Sequence, residues 1–365
     1  MLRKLGNELL DWMLLRFNIF SEVVDPADFL SEDVIRIMES NGYFVRPAPN
    51  RRKIKCLLYN KRIIRPDLSR KKPKMFIPDW DHAGIKKKHE LMQKAISISY
   101  FYMDPDAIPW NLAVYRDKES KKVSFFDFDG RTKTVFWSRK DHFEREANAT
   151  SHFIDHGVDV LGHIREDRDK HMLVQELVGI PGEHIVDFNP VDDQMMDYVL
   201  RSAEMKTIML QKPVNLPIEI QELADFAEQQ IKRNFWVHNN KAPYGIVHGD
   251  LNPMNLIRDQ GKTWLIDFDR TFEASVYYDF IYVWLNKYDR STDKLKTRIR
   301  MINDRFYGEN IMTDSVALNL ALALFVYDNI RFIEQHCDTV KDARFVIFLL
   351  NRLRDKWPRT PVTQE

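Results

Sequence analysis

Leu2, Leu5, Leu9, Met13 and Phe17 recur at helical spacing, with Glu8 and Asp11 between them. That pattern predicts an amphipathic helix, and the interrupting charges make it a poor export signal. The helix either packs on the body of the protein or lies on a membrane surface. Residues 1–40 read as helical throughout, with Ser31 a candidate N-cap and Asn41-Gly42 a candidate stop. Helical character returns over 84–100. Between these stretches the short apolar runs "CLLY" and "RII" sit in a polar segment and are candidate strands.

From residue 111 the pattern changes to β. "NLAVYRD" (111–117), "KVSFFDF" (122–128) and "TKTVFWS" (132–138) are three apolar or β-branched runs. A polar turn separates the first two and Asp129-Gly130 separates the others, which is a hairpin signal. Asp-Phe-Asp occurs here (127–129) and again at 267–269. The first copy reads as a turn, with Asp129 before glycine and Asp127 at the strand end. "DHFEREANATSHFIDHG" then reads as a helix ended by Gly157. Its predicted inner face is Phe143, Ala147, Ala149/Thr150 and Phe153-Ile154. "HMLVQELVG" (171–179) reads as a buried strand. From Pro190 the chain is mostly helical, with one interruption over 244–272. The run "VALNLALALFVY" (316–327) is too short to span a bilayer and reads as a buried helix.

Length and composition fit this alternation. A chain of 365 residues is too long for one ordinary core and implies two lobes. Hydrophobic content of 44% with 30% charged residues is that of a globular protein. The net charge of +1 gives no reason to expect a polyanionic partner for the whole chain. Cys56 and Cys337 cannot build a disulfide framework, so a cytoplasmic location is expected, at the inner face of a membrane if the first helix is a surface helix. Charge is uneven in one place: residues 46–74 carry twelve Lys/Arg against the single acid Asp67. Such a run is either a solvated face or a contact for phosphates of an anionic lipid, glycan or nucleic acid.

The interruption in the helical half carries the chemistry. "YGIVHGDLNPMNLIRDQGKTWLIDFDR" divides into an apolar run, a polar loop, a strand–turn–strand and then Asp267. Transfer of a phosphoryl group from ATP requires a carboxylate at the attacking hydroxyl and oxygen ligands for magnesium. A kinase catalytic loop places Asn five residues after Asp, the spacing of Asp250 and Asn255. The second magnesium ligand is an Asp after a strand and before Phe, which is Asp267-Phe268 here.

"VHGDLNPMNLI…WLIDFD" resembles the aminoglycoside phosphotransferase and choline kinase branch of the protein-kinase-like superfamily. Gly249 stands where protein kinases have Arg, as in that branch. The resemblance implies an α+β, two-lobed protein-kinase-like fold using ATP and Mg. It implies a small β-rich N-lobe (101–178) and a mostly helical C-lobe (179–365); the recognisable resemblance covers roughly 110–285, and residues 1–100, helical and basic by their own pattern, form an N-terminal extension outside it. It makes Asp250 the catalytic base or hydroxyl-orienting acid, His248 a structural member of its loop, and Asn255 and Asp267 the metal ligands. Asp279 in "YYDF" resembles the acid that supports the loop. Asn252 reads as a turn residue, and Asp269 as a second carboxylate near the metal or a salt-bridge partner. The resemblance also implies a strand lysine on the nucleotide phosphates, paired with a helix glutamate. Lys133 is the candidate, with Lys140 and Arg139 as rivals, and Glu146 is the glutamate, with Glu144 as alternative. The adenine hinge falls in "QELVG", with backbone contacts at Glu176 and Val178. One departure is plain: the turn "DKESK" between the first two strands has no glycine.

The acceptor class stays open: a hydroxyl of a small molecule, a sugar, or an envelope glycan or glycolipid. A choline site would want an aromatic cage, but Tyr277, Tyr278, Tyr282, Trp284 and Tyr288 have the spacing of an ordinary buried helix. An aminoglycoside site would want the acids of 190–230, which solvated helix faces explain equally well. The basic segment suits an anionic membrane or a phosphorylated acceptor. A catalytically silent binding module with this fold is the alternative, and a nucleic-acid-binding protein ranks last because aromatic residues are sparse among the basic ones.

Overall fold

The computed structural model describes residues 32–40, 45–46, 54–59, 62–64, 99–103, 112–115, 122–127, 129–178, 189–208, 218–235, 241–259, 261–286, 291–309, 311–336 and 340–357. The chain forms two units. The first comprises Met1–Glu144 and Gly162–Val178, the second Arg145–Leu161 and Gly179–Glu365.

The first unit holds a nine-stranded antiparallel sheet. Its strands in chain order are β1 (Val45–Arg46), β2 (Ile54–Tyr59), β3 (Arg62–Ile64), β4 (Ser99–Met103), β5 (Leu112–Tyr115), β6 (Lys122–Asp127), β7 (Thr132–Trp137), β8 (His163–Asp167) and β9 (Met172–Glu176). They lie in the order β1-β4-β2-β3-β5-β6-β7-β9-β8. The runs "CLLY" and "RII" fall in β2 and β3 as expected. The helix predicted over 84–100 fails at its end, where Ser99 and Tyr100 open β4 and pair with β2. The aromatic run "SYFYM" suits a strand better than a helix end. The rest of 84–100 and the predicted first helix lie outside the described residues.

The β6–β7 hairpin forms for the reason its sequence suggests. Asp127 Oδ1 accepts from the backbone N–H of Asp129 (3.1 Å) and Gly130 (2.9 Å), fixing the turn. Val123, Phe125, Thr134 and Phe136 are buried, and the Phe125 and Phe136 rings meet edge to face at 5.7 Å. Helix α1 (Glu32–Ser40) ends where Asn41-Gly42 predicts, and its buried Val34, Ile37 and Met38 form one stripe.

Helix α2 (Lys140–Asp155) ends at Gly157, whose φ of 76° is the left-handed turn that closes a helix. Phe143, Ala147, Ala149, Thr150 and Phe153 are buried as predicted, but Ile154 is exposed. Ile154 lies one position beyond the face that helical periodicity buries.

In the second unit α3 (Asn189–Ser202) is followed by β10 (Glu204–Thr207), α4 (Ile218–Phe235) and β11 (Lys241–Val247). Strands β12 (Leu256–Asp259) and β13 (Lys262–Leu265) form a hairpin, and β14 (Phe272–Ser275) pairs with β11 in a sheet ordered β10-β11-β14. The non-helical interruption therefore runs from 241 to 275, wider than the expected 244–272. Helices α5 (Tyr278–Leu285), α6 (Thr292–Tyr307), α7 (Asp314–His336) and α8 (Val340–Lys356) complete it. The predicted buried run lies in α7, which packs against α4, α5, α6, α8 and β14. At 23 residues α7 outruns that segment, and by length and composition it could cross a membrane, but its most apolar stretch is mostly buried in the protein. Buried Asp192 on α3 pairs with Lys294 (2.8 Å) and Arg298 on α6.

Candidate active site

Strand β11 ends at Val247 and delivers the loop that begins with His248. Two consecutive backbone amides, of His248 (2.8 Å) and Gly249 (2.9 Å), donate to the two carboxylate oxygens of Asp279 in the first turn of α5. Asp279 is thus the brace of the loop. Burial raises its pKa, opposed by the neighbouring His248 and by these two hydrogen bonds, which favour the ionised form. Gly249 has φ 79°, and a Cβ there would lie 2.2 Å from the carbonyl oxygen of Arg270. The place where protein kinases carry an arginine is here filled by backbone.

The ring of His248 is fully buried and used on both sides. Nδ1 accepts from the N–H of Asp250 (3.3 Å), so Nε2 carries the proton and donates to the carbonyl of Ile266 (3.0 Å). It spans from the loop to the residue before Asp267.

Asp250 sits at the centre of a small polar cluster. Its Oδ1 accepts from the hydroxyl of Tyr282 on α5 and from Asn252 Nδ2 (3.1 Å). Oδ2 is the oxygen left for an incoming hydroxyl. Asn252 also caps the short 3₁₀ turn Pro253–Asn255, its Oδ1 accepting from Met254 N–H (2.8 Å). Asn255 Nδ2 donates to the carbonyl of Asp250 (2.8 Å), which leaves its Oδ1 as the ligand-type atom. The Ile266 N–H then donates to the Asn255 carbonyl (3.0 Å). Residue 266 is therefore tied to both His248 and Asn255, and Asp267 follows it immediately.

Asp267 has φ 68°, an uncommon left-handed conformation for a residue with a side chain. The β12–β13 hairpin brings the chain there, anchored by Leu265 N–H on the Asp159 carbonyl (2.9 Å) and by a parallel bridge between Val160 and Leu265. Phe268 is buried against the rings of His248 (5.0 Å) and Phe153 (5.2 Å). The carbonyl of Asp269 accepts from Arg145 (3.3 Å). The structure thus gathers His248, Asp250, Asn255 and the backbone of Asp267 into one cluster. Tyr282 and the clamping role of Asn252 were missed. The i, i+4 spacing of Tyr278 and Tyr282 signals a buried helix face, but not which buried atom a phenol will reach.

The remaining candidates lie elsewhere. Lys133 is half-buried on β7, opposite Gln175 on β9. Glu146 is buried on α2. Their rivals are engaged at the helix start: Lys140 pairs with Glu144 (3.4 Å), and Arg139 makes two hydrogen bonds with Asp141 (2.9 and 2.8 Å). Glu176 ends β9 exposed, and Val178 is buried at the last residue before the division between the units. The Leu177 N–H between them is spent on the Arg131 carbonyl (2.8 Å). The turn "DKESK" and the loop after Val178 lie outside the described residues.

Among the described residues no three His, Cys, Asp or Glu side chains converge into a metal cage. One carboxylate, of Asp267, and one amide oxygen, of Asn255, at a strand end and a loop suit a hard cation that keeps most of its water.

Residues 173–314 match the family model described as the phosphotransferase enzyme family. This segment, less than half of the chain, is similar to that family. The match starts within β9 and takes in the whole polar cluster, from His248 to Tyr282. The phosphotransferase match makes the protein a kinase acting on an alcohol group, as expected, and the α+β content is as expected too, with a β-sheet in the first unit and a mostly helical second unit. No curated protein matches the chain. Similar solved structures include a choline/ethanolamine kinase family protein from Mesorhizobium loti, 11% identical over 66% of this chain and 86% of its own, with a TM-score of 0.42. A thermostable mutant of aminoglycoside phosphotransferase APH(4)-Ia is 12% identical over 68% and 94%, with a TM-score of 0.43. Choline kinase LicA from Streptococcus pneumoniae is 13% identical over 73% and 99%, with a TM-score of 0.40. At these TM-scores none of the three bears on the assignments made from the site itself.

Proposed function

We propose that this phosphotransferase uses ATP and magnesium to phosphorylate a hydroxyl of a small molecule, a sugar, or an envelope glycan or glycolipid. The observation that carries the reading is the cluster around Asp250, whose backbone, Oδ1 and neighbours are all fixed while Oδ2 stays available. A hydroxyl placed against Oδ2 is oriented and gives up its proton there as its oxygen bonds to the γ-phosphorus and the bond to ADP breaks. Asn255 Oδ1 and the Asp267 carboxylate would hold magnesium, which neutralises phosphate charge when bound. Lys133 and Glu146 are proposed to act on the phosphates, and the backbone at Glu176 and Val178 on adenine. We place the protein in the cytoplasm, with residues 46–74 as its contact to an anionic membrane or phosphorylated acceptor.

Release of ADP from MgATP, measured with a panel of hydroxyl compounds and with water alone, tests this. Asp250→Asn is expected to abolish turnover, and Asp267→Ala to abolish it or to shift its magnesium dependence to higher concentration. Turnover in Asp250→Asn equal to wild type would overturn the reading.

A further inference from the structure

Arg270 occupies the tip of the turn that follows Asp269, closed by the Thr271 N–H donating to the Phe268 carbonyl (3.1 Å). It is half-buried, yet among the described residues its guanidinium has no hydrogen bond or ion pair. Instead it lies 4.1 Å over the ring of Phe345 on α8. Phe345 in turn faces Tyr282, with ring centroids 6.2 Å apart, and the Tyr282 hydroxyl reaches Asp250. Cation, ring, phenol and catalytic carboxylate follow one another in space.

A guanidinium held over a ring spends no N–H on it and keeps its donors for a planar or tetrahedral anion. Partial burial without a counter-ion weakens its hydration and leaves it with affinity for one. We propose that Arg270 reads the acceptor, and that the acceptor carries a carboxylate or phosphate close to the hydroxyl that receives the phosphoryl group. The proposal rests on the kinase reading above and names the class of its substrate. Phe345 holds the guanidinium in place from 4.1 Å, so anion and hydroxyl are registered together against Asp250.

The experiment uses the full chain with MgATP and matched acceptor probes: galacturonate against galactose, and glycerol 3-phosphate against glycerol. The two pairs separate a carboxylate from a phosphate. The acidic member is expected to exceed its neutral partner at least about tenfold in kcat/KM, as a charge-assisted bidentate contact would give. Arg270→Met should collapse that ratio through KM for the acidic probe, and Arg270→Lys should restore part of it. Equal use of acidic and neutral probes by the wild type overturns the proposal. So does a preference that survives Arg270→Met, or an equal loss for both members of a pair, which marks a packing role alone. Where no probe turns over, equilibrium binding of the same pairs to the ADP–magnesium-saturated protein makes the same comparison, and no saturable binding of either acid overturns it. Failure of the kinase reading shows separately, as wild-type ADP release in Asp250→Asn.

Discussion

Replacing Tyr282 with phenylalanine removes one oxygen and keeps the ring. That ring is buried on α5 and faces Phe345, so packing survives the change. What is lost is the hydroxyl that donates to Asp250 Oδ1. Asn252 Nδ2 still donates to the same oxygen at 3.1 Å, so the carboxylate is not stranded. The loss is that of one hydrogen bond to a charged acceptor, about 1.5–3 kcal/mol. If all of it serves to hold Oδ2 toward the acceptor, the rate falls roughly 10- to 150-fold, at about 1.4 kcal/mol per tenfold. ADP release at saturating MgATP measures it. A double-mutant cycle with Asp250→Asn identifies the route: Tyr282 acts through Asp250, so Tyr282→Phe should add nothing in that background. Thermal unfolding of the four proteins gives the same cycle where turnover vanishes, and the two stability losses should not be additive. Wild-type turnover in Tyr282→Phe, or fully additive effects, would refute the reasoning.

The same geometry makes four further predictions. Gly249→Ala puts a methyl 2.2 Å from the Arg270 carbonyl at φ 79°, and should cost at least about 2 kcal/mol in chemical denaturation together with most of the activity. Asp279→Asn leaves one of the two loop amides facing an NH₂ group, so activity should fall sharply while stability falls by about 1–3 kcal/mol. Asp328 on α7 is fully buried, accepts from Tyr244 and Ser275, and is pushed up to about 6 by burial. A carboxylate whose folded pKa lies above its unfolded value stabilises the fold at low pH and loses that contribution as pH rises toward 6; unfolding of Asp328→Asn at pH 4 and pH 7 should therefore lack a fall that the wild type displays. Lys133→Met should raise KM for ATP at least about tenfold whereas Lys140→Met, which breaks only an exposed pair, should leave it unchanged, since such pairs are worth little.

How much of this was legible in the chain follows from the range of the interactions. The Asp129-Gly130 hairpin, the end of α2 at Gly157 and the β12–β13 hairpin are local, and turn chemistry a few residues long specifies each. The spacing of Asp250, Asn255 and Asp267 was readable because one loop and one hairpin carry all three. Strands β8 and β10 were not readable: "HIRED" and "EMKT" bury none of their side chains and present no alternating apolar face, so only their ladder partners make them strands. Tyr282 and Asp250 are 32 residues apart, and the contact depends on how α5 is set against the loop.

That placement has its own cause in the sequence. Asp279 binds the loop amides from the first turn of α5, and Tyr282 stands one helical turn later on the same face, since residues three apart project together. A helix that braces the loop with residue i therefore brings residue i+3 up to the side chains of that loop. The motif "YYDFIY" can be read in this way: the acid fixes the backbone of residues 248 and 249, and the tyrosine after it fixes the carboxylate of residue 250. Moving the tyrosine by one position, as in a Tyr282→Phe, Val283→Tyr double variant, rotates the hydroxyl about 100° around the helix. It should not recover the activity lost in Tyr282→Phe. Recovery would mean that any buried phenol on α5 suffices, and that the register between Asp279 and Tyr282 does not set the position of Asp250.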